Sequence, residues 1–280
     1  MRILGIEIFY WISDWATPQP PFFSKARECG FDAVEISLVN GPNIDFQAYH
    51  DALQNNALKV YCSMGLPADK DITHPDAFVR NAGIEYLKRC CEASAKLGSS
   101  ILGGLPYAPW LYFPDDQDLQ VYRDRSAAAL REVAVTANDC GITLTLELIN
   151  RFETFMFNSV DEGLVFLDQV GHDSVKLQLD TYHMNMEEDH IADAIRRAGD
   201  KVGHFHCAAS NRKLPGQGHL DWSSIGQALN DINYSGGIVI ETFPNPYSET
   251  GRTVNTWRPL VEDYDAEVRT SLELLKSNLI

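Results

Sequence analysis

The sequence has no apolar stretch long enough to cross a membrane, because its hydrophobic runs fall short of the roughly 18 residues that a spanning helix requires. Near the N-terminus, the acidic residue Glu7 comes too early in the sequence for an apolar core of the signal-peptide type to precede it. We therefore expect a cytoplasmic protein with no membrane partner.

Positive charge is also scarce, since 23 lysine and arginine residues stand against 39 aspartate and glutamate residues in a chain of 280. The net charge of −16 would repel a phosphate backbone from the average surface, which argues against nucleic acid as a partner. The hydrophobic share of 45% is that of an ordinary globular protein, so intrinsic disorder is excluded.

Cysteine pairs with the spacing of zinc sites are missing. The six cysteines are scattered along the chain, and the two nearest, Cys90 and Cys91, are neighbours on a predicted helix. This spacing is typical of reduced thiols and argues against a zinc site built on cysteine.

No Gly/Ser-rich or Pro-rich linker divides the chain, and no Gly-rich dinucleotide fingerprint follows the first predicted strand. Short β-branched runs instead alternate with amphipathic helical stretches, a pattern typical of parallel βα units. The eight predicted strands lie at 3–9, 33–38, 58–64, 99–103, 142–148, 175–180, 201–207 and 237–241. Helical stretches include 75–97, 118–140, 159–170, 191–198 and 222–232. The predicted fold is α/β, a single (β/α)8 TIM barrel over residues 1–280, with a doubly wound open sheet as the alternative.

Four consecutive strands end in a side chain that can bind a metal. In the fifth and sixth strands, apolar residues occupy the outward positions, which leaves Glu147 and Asp180 facing the barrel interior. The same alternation turns His206 and Glu241 inwards at the ends of the seventh and eighth strands. Their separations of 33, 26 and 35 residues fit one ligand from each βα unit.

Inward carboxylates at one rim repel one another strongly unless a cation lies among them. Three carboxylates and one imidazole suit Mn²⁺ or Co²⁺, with Mg²⁺ as an alternative, better than a structural zinc ion. The sequence therefore predicts a catalytic metal site. The competing interpretation is that each acidic group is a separately solvated or ion-paired residue of the rim.

Further polar and aromatic residues follow the same strands in predicted βα loops. Glu153, His183 and Arg212 come three or six positions after a candidate ligand and are predicted to reach a substrate above the metal. An aromatic-rich connection at 105–118, which contains Trp110, is predicted to form a wall of the binding site. His204 lies lower in the seventh strand, where we expect a packed interior histidine.

These residues lie in motifs that resemble the metal-dependent ketose 3-epimerases, the D-tagatose and D-allulose (D-psicose) 3-epimerase family. The motifs, in chain order, are LELINRFE at 146–153, LDTYHMN at 179–185, GHFH at 203–206, SNR at 210–212, PGQG at 215–218 and IE at 240–241. The likeness covers nearly the whole chain and includes Trp11 and Trp15. Because a barrel alone does not fix a function, these ordered motifs carry the functional prediction.

The resemblance implies a (β/α)8 barrel that binds Mn²⁺ or Co²⁺ through Glu147, Asp180, His206 and Glu241. It also implies that Glu147 and Glu241 are the acid/base pair that removes and returns the C3 proton of a 2-ketose, through an enediolate. Members of this family commonly form dimers or tetramers, so we expect a homodimer or homotetramer.

The resemblance further implies how the sugar is held. Glu153, His183 and Arg212 would bind O1 and O2 of the ketose. Other predicted substrate contacts come from aromatic and glycine residues at the barrel rim, namely Trp15, Gly65, Gly104, Trp110 and Phe243.

Two positions depart from the family pattern. Glu7 ends the inward set of the first strand where these epimerases carry tyrosine, and His219 stands where several carry arginine. A carboxylate at Glu7 is predicted to bind a hydroxyl at the far end of the sugar and to repel a phosphate, so the expected substrate is an unphosphorylated ketose. A salt bridge between Glu7 and a neighbouring base is the alternative.

An aldose–ketose or inosose isomerase, or a dehydratase, on the same metal-binding barrel is the main alternative function. A metal-dependent DNA repair endonuclease on a related barrel would need a basic groove, which the net charge disfavours. A non-catalytic sugar-binding protein would not need two opposed carboxylates around a cation.

Overall fold

Eight parallel strands follow one another around a closed barrel in chain order, and the eighth pairs with the first. The computed structural model describes residues 2–115 and 118–280. The strands are β1 (Ile3–Glu7), β2 (Ala33–Ser37), β3 (Lys59–Leu66), β4 (Ile101–Pro109), β5 (Thr143–Glu147), β6 (Val175–Asp180), β7 (Val202–Cys207) and β8 (Gly237–Ile240). The predicted (β/α)8 barrel is confirmed, and the open-sheet alternative is wrong.

Helices connect the strands. They are α1 (Phe23–Cys29), α2 (Phe46–Asn56), α3 (Ala77–Leu97), α4 (Gln120–Asp139), α5 (Val160–Val170), α6 (Thr181–Glu187), α7 (Ile191–Ala198), α8 (Trp222–Asp231), α9 (Glu249–Thr253) and α10 (Tyr264–Leu279). Short 3₁₀ turns cover Ile8–Tyr10, Pro20–Phe22, Ala68–Lys70 and Gly199–Lys201. Among the helices of the described residues, none combines the length and the apolar character that crossing a bilayer would require.

Local capping residues fix where several helices begin and end. At the start of α5 the Ser159 side chain accepts a hydrogen bond from the Glu162 N–H, and the Glu162 side chain accepts one from the Ser159 N–H. Gly98 ends α3 with a φ of 88°, a left-handed conformation that costs glycine little because it has no Cβ atom. These signals explain why the helix positions could be predicted to within a few residues.

The two faces of the strands have different surroundings. Outward residues such as Leu144, Leu146, Leu177 and Leu179 are completely buried in the main hydrophobic core. Inside the barrel, a smaller apolar cluster fills the N-terminal half and consists of Ala33, Tyr61, Ile101 and Val239, with Ile3 packed against it. Because apolar side chains close this end, the polar inward residues are left at the carboxyl ends of the strands.

β4 is longer than predicted, since it continues to Pro109 and contains the first part of the 105–118 connection. β4 pairs with β5 through its first two residues, Ile101 and Leu102. Its later residues pair with β3, where a shift in register brings Leu66 opposite Pro109. Proline is tolerated on the unpaired side of a strand because no N–H donor is needed there. Residues 116 and 117 of the connection lie outside the described residues.

A second difference follows β6, where a loop was expected and α6 begins at once. The Asp180 side chain accepts a hydrogen bond from the Tyr182 N–H at 2.7 Å and so caps the helix. His183 therefore lies on a short helix and not in a loop, and it is buried.

Candidate active site

Four side chains from consecutive strands meet at the carboxyl end of the barrel. Glu147 ends β5, Asp180 ends β6, His206 is the penultimate residue of β7, and Glu241 directly follows β8. One potential ligand atom from each lies within 4.8 Å of those of the other three. The fold thus assembles the four-residue cluster that strand alternation predicts, whereas its role as a metal site stays a prediction.

Two carboxylates of this cluster, Glu147 and Asp180, are buried away from water, and Glu241 is partly buried. Burial, followed by the nearby charge of Glu241, raises the pKa of Glu147 well above its ordinary value. Burial also raises the pKa of Asp180, against the opposing effect of Arg212. Among the described residues, Oε1 of Glu147 has no hydrogen-bond partner. A buried oxygen without a partner is costly, and a bound cation would supply one.

The donor set fits a divalent cation. It offers three carboxylates and one imidazole without sulfur, which matches the ligands that Mn²⁺, Co²⁺ and Mg²⁺ prefer. Nδ1 of His206 lies 3.8 Å from Oε1 of Glu147 and 3.6 Å from Oε2 of Glu241, so the imidazole faces the carboxylates. Together with the unpartnered oxygen of Glu147, this arrangement suits a metal ion at the cluster.

Arg212 contacts the cluster from the loop after β7. Its Nη1 lies 2.9 Å from Oδ2 of Asp180, and its Nη2 lies 2.7 Å from Oε2 of Glu241. Although burial opposes the charge, Glu241 and Asp180 raise the pKa of Arg212. Burial likewise opposes ionisation of Glu241, but Arg212 and His206 together outweigh burial and lower the pKa of that carboxyl group. Arg212 and Glu241 thus form a partly buried ion pair.

A hydrogen bond from the chain backbone fixes the ring of His183. The Asn150 N–H donates to Nδ1 of His183 at 3.2 Å, and Nδ2 of Asn150 lies 2.8 Å from the same nitrogen. Because a backbone N–H can only donate, Nδ1 is an acceptor and the neutral ring carries its hydrogen on Nε2. Burial, with Arg212 nearby, lowers the pKa of His183 well below its ordinary value and keeps the ring neutral.

Glu153 is held by the same asparagine and by a tryptophan. Nδ2 of Asn150 donates to Oε1 of Glu153 at 2.7 Å, and Nε1 of Trp110 donates to Oε2 at 2.9 Å. Each carboxylate oxygen therefore has a donor that fixes its direction. Asn150 joins Glu153 and His183 into one network.

A cavity of about 240 Å³ opens beside the four-residue cluster. Its wall includes every residue predicted to contact substrate, namely Glu7, Trp15, Gly65, Gly104, Trp110, Glu153, His183, Arg212 and Phe243.

At Gly104 the φ is 89°, and any side chain there would meet the backbone of Met64. The rings of Trp15 and Phe243 lie 6.0 Å apart, and Nε1 of Trp15 donates to Oγ1 of Thr253 at 3.2 Å. The structure brings these residues together, and their contact with substrate stays a prediction.

Glu7 lies in the cavity wall with 2% of its surface exposed. Its hydrogen bonds are long, 3.5 Å from the Phe9 N–H and 3.4 Å from Oγ of Ser63. Burial, then the charges of Glu35 and Glu241, raise the pKa of Glu7 well above its ordinary value. Burial among acidic neighbours thus disfavours the charged form of Glu7, which weakens the argument that a Glu7 carboxylate repels a phosphate. In the described part of the chain, Glu7 accepts hydrogen bonds from the Phe9 N–H and Ser63 and no lysine or arginine pairs with it, so the structure gives no support to the salt-bridge alternative.

The remaining histidines of interest have different places. His204 is fully buried, as expected for an interior histidine, with Nε2 at 2.6 Å from Oε2 of Glu35. His219 lies on an exposed loop, where Nε2 is 3.0 Å from Oδ1 of Asn185, and it does not line the cavity of the described residues. The departure from the family pattern at His219 therefore lies outside the described cavity wall.

Glu35 and Asn150 are site residues that the sequence reasoning missed. Glu35 projects inwards from β2, and its Oε1 lies 3.0 Å from Nε2 of His206. The alternation applied to β5–β8 also holds for β2 and would have identified Glu35. Asn150 gave no such signal, because its contact with His183 joins residues far apart in the sequence.

Comparison with known proteins agrees with this architecture. The family described as the xylose isomerase-like TIM barrel matches residues 23–277. The chain is 34% identical over 277 residues to D-psicose 3-epimerase of Agrobacterium fabrum, with 96% of each chain covered. It is 35% identical over 275 residues to L-ribulose 3-epimerase of a Methylomonas species, covering 97% of this chain and 96% of that relative.

Solved structures give the same result. A crystal structure of D-psicose 3-epimerase in the presence of D-fructose has a TM-score of 0.94 to this chain at 33% identity, with 99% of both chains covered. The match covers nearly the whole of both chains, and the relatives bear the names of epimerases, which are isomerases. The chain therefore belongs to the xylose isomerase-like TIM barrel family and, within it, to the ketose 3-epimerases, and it is an isomerase.

Proposed function

We propose that this isomerase epimerises C3 of free 2-ketoses, of the D-tagatose, D-fructose, D-allulose (D-psicose) or ketopentose type, with the help of one divalent metal ion. The observation that carries the proposal is a four-residue cluster that opens onto a cavity and contains two glutamates from separate strands, Glu147 and Glu241. The names of the relatives, D-psicose 3-epimerase and L-ribulose 3-epimerase, support a ketose as the substrate.

Epimerisation at C3 requires a proton to leave from one face of the carbon and another to arrive at the opposite face. Glu147 ends β5 and Glu241 follows β8, so β6 and β7 separate them around the barrel. One glutamate takes the C3 proton, and the other returns a proton to the opposite side of the planar enediolate. When bound to the cluster, Mn²⁺ or Co²⁺ (or Mg²⁺) supplies stabilisation of the negative charge that develops on the enediolate oxygens.

Three residues orient the carbonyl end of the sugar. The Nε2–H of His183 donates to O2, and the guanidinium of Arg212 adds positive charge where negative charge develops. Glu153, whose oxygens are fixed by Asn150 and Trp110, accepts a hydrogen bond from the hydroxyl group at O1. Because these side chains are held before the sugar binds, less entropy is lost on reaching the reactive arrangement.

The charge of the cavity favours an unphosphorylated substrate. Arg212 is the one lysine or arginine among the described residues that line it, and both terminal nitrogens of Arg212 already pair with carboxylates. A phosphate would find no free cation there. We propose that the Glu7 carboxyl group forms a hydrogen bond with a hydroxyl group at the far end of the sugar.

A cytoplasmic location and a homodimeric or homotetrameric assembly complete the proposal. Both follow from the sequence and the family resemblance, and light scattering on the purified protein would measure the assembly directly.

The deciding experiment incubates the Mn²⁺- or Co²⁺-loaded protein with a panel of free ketoses and separates the products by chromatography. We expect interconversion of the two C3 epimers of one ketose. An aldose product would instead support an aldose–ketose isomerase, and loss of water would support a dehydratase. Binding without turnover would leave a sugar-binding protein.

A further inference from the structure

Glu35 is a fully buried carboxylate at the centre of the barrel, next to the four-residue cluster. Its Oε2 lies 2.6 Å from Nε2 of His204, and its Oε1 lies 3.0 Å from Nε2 of His206. Among the described residues, no lysine or arginine pairs with it. Removing a carboxylate from water is costly, so a residue kept there by two imidazoles alone needs an explanation.

The contact with His206 determines which ring nitrogen is left for the cluster. A carboxylate oxygen accepts hydrogen bonds, so Nε2 of His206 is the nitrogen that carries the hydrogen. The other nitrogen, Nδ1, faces Glu147 and Glu241 at 3.8 and 3.6 Å. In the neutral ring this nitrogen has the lone pair that a metal ion needs, and its one other polar neighbour among the described side chains outside the cluster is Nε2 of Gln178, which lies 3.4 Å from both ring nitrogens.

We propose that Glu35 is a positioning residue, which holds His206 as the Nε2–H tautomer and directs Nδ1 into the cluster of Glu147, Asp180 and Glu241. The inference rests on the proposed metal-dependent function. His204 binds the second oxygen of Glu35 and thereby limits rotation of the carboxylate group. A carboxylate that accepts a hydrogen bond from a metal-binding histidine fixes the orientation of the ring and makes it a stronger ligand.

The same three residues, Glu35, His204 and His206, could instead form a second cation site, because their donor atoms also lie within 4.8 Å of one another. Their separations of 2.6 and 3.0 Å are those of hydrogen bonds. A cation at Nε2 of His206 would also displace the hydrogen that Glu35 accepts. The two alternatives differ in metal content, which is one ion per chain for a positioning residue and two for a second site.

One test compares the wild-type chain with Glu35→Gln and Glu35→Asp. Glutamine keeps the length of the side chain but loses one acceptor oxygen, and aspartate keeps the charge but is too short to reach both histidines. Mn²⁺ affinity is measured from the electron paramagnetic resonance signal of the free ion. We expect both substitutions to weaken Mn²⁺ binding by about 10-fold to 100-fold. Wild-type affinity in Glu35→Asp would show that charge alone is sufficient and would overturn the proposal, as would wild-type affinity in Glu35→Gln.

A second test needs only the wild-type chain and so remains decisive if the variants do not fold, which circular dichroism will reveal. Nuclear magnetic resonance of the ¹¹³Cd²⁺-loaded protein with ¹⁵N-labelled histidine should show coupling of cadmium to Nδ1 of His206 and a retained proton on Nε2. Coupling to Nε2, or two cadmium ions per chain, would overturn the inference and leave the proposed function intact. A wild-type chain that binds no metal would overturn both.

Discussion

The backbone N–H of Asn150 donates a hydrogen bond to Nδ1 of His183, 3.2 Å away, and so decides which nitrogen of that ring can act as a donor. The side chain of the same asparagine donates to Glu153. One residue that is not expected to touch the sugar thus orients two residues that are proposed to hold it.

We predict that Asn150→Asp lowers kcat/KM by about 10-fold to 100-fold, mainly through a higher KM. The substitution replaces a donor with an acceptor next to Glu153, and a hydrogen bond to a charged group contributes about 1.5 to 3 kcal/mol. Steady-state kinetics with the preferred ketose measure the effect.

Asn158→Asp is the matched control, because Nδ2 of Asn158 donates to backbone carbonyl groups of Ile149 and Thr154 in the same loop. It should lower the melting temperature while changing kcat/KM much less. An equal loss of kcat/KM in both variants would mean that Asn150 acts only by stabilising the loop.

The buried ring of His183 should make stability depend on pH. Its pKa is well below the ordinary 6.5, so the unfolded chain binds a proton that the folded protein does not. Above about pH 6.5 the ring is neutral in both states and this destabilising effect is absent. Below that pH the free energy of unfolding falls by about 1.4 kcal/mol for each pH unit. Urea titrations of wild type and His183→Gln at several pH values should show a difference in free energy of unfolding that changes with this slope. A difference that is constant with pH would contradict a neutral buried ring.

Chelation should abolish turnover, and added Mn²⁺ or Co²⁺ should restore it. Because a ligand that binds only the folded state stabilises it, the metal should also raise the melting temperature, with about 2.7 kcal/mol gained at 100 times the Kd. Asp180→Asn should lose this increase, whereas Asp173→Asn, a substitution at an exposed position, should keep it. Full activity in a preparation shown to be metal-free would refute metal dependence.

The acid/base assignment predicts a specific isotope pattern. In D₂O the wild type should place deuterium at C3 of both epimers. Glu147→Gln or Glu241→Gln should each slow epimerisation by at least about 10² to 10⁴, the usual contribution of general acid/base catalysis. The surviving glutamate should still exchange the C3 hydrogen of one epimer without inverting it.

Metal content must be measured in both glutamine variants, because each glutamate is also a proposed ligand. An inactive protein without metal would say nothing about proton transfer. Epimerisation at a near wild-type rate in a metal-loaded variant would show that the replaced residue carries no proton.

Glu7 should control which ketose is preferred. Glu7→Tyr is expected to redistribute the rates among ketoses by about tenfold to a hundredfold, the 1 to 3 kcal/mol that one polar contact commonly controls. Glu7→Gln keeps an uncharged polar group of similar size and should preserve the wild-type order of substrates better. A ketose phosphate with a higher kcat/KM than its free sugar would refute the unphosphorylated substrate.

The four-residue cluster could be predicted from the alternation of inward and outward residues along the strands, for two reasons. Leu144 and Leu146 must face the core, and this requirement turns Glu147 inwards. Since all eight strands are parallel and in chain order, the ends of β5–β8 then meet at one rim. Local sequence was therefore sufficient for the fold and for the four-residue cluster.

Features that depend on contacts between residues far apart in the sequence could not be predicted from local patterns. The end of β4 looks like a loop because of its prolines, and it becomes a strand only through the shifted pairing of Leu66 with Pro109. The short helix that holds His183 depends on capping by Asp180. The sequence pattern indicates Asp180 only as a candidate metal ligand. The raised pKa of Glu7 results from burial among other acids, which no sequence pattern reveals.

The four-residue cluster is taken entirely from the second half of the barrel, β5–β8, whereas β1–β4 supply much of the facing wall of the cavity, including Glu7, Ser63 and Gly104. The four-residue cluster and this part of the cavity wall thus occupy different arcs of one rim. We therefore expect substitutions at the wall positions of β1–β4 to change which sugar is accepted while Glu147 and Glu241, the proposed acid/base pair, stay in place. A library that varies Glu7 and Ser63 and leaves β5–β8 untouched is accordingly the shortest route to an enzyme with a new sugar preference.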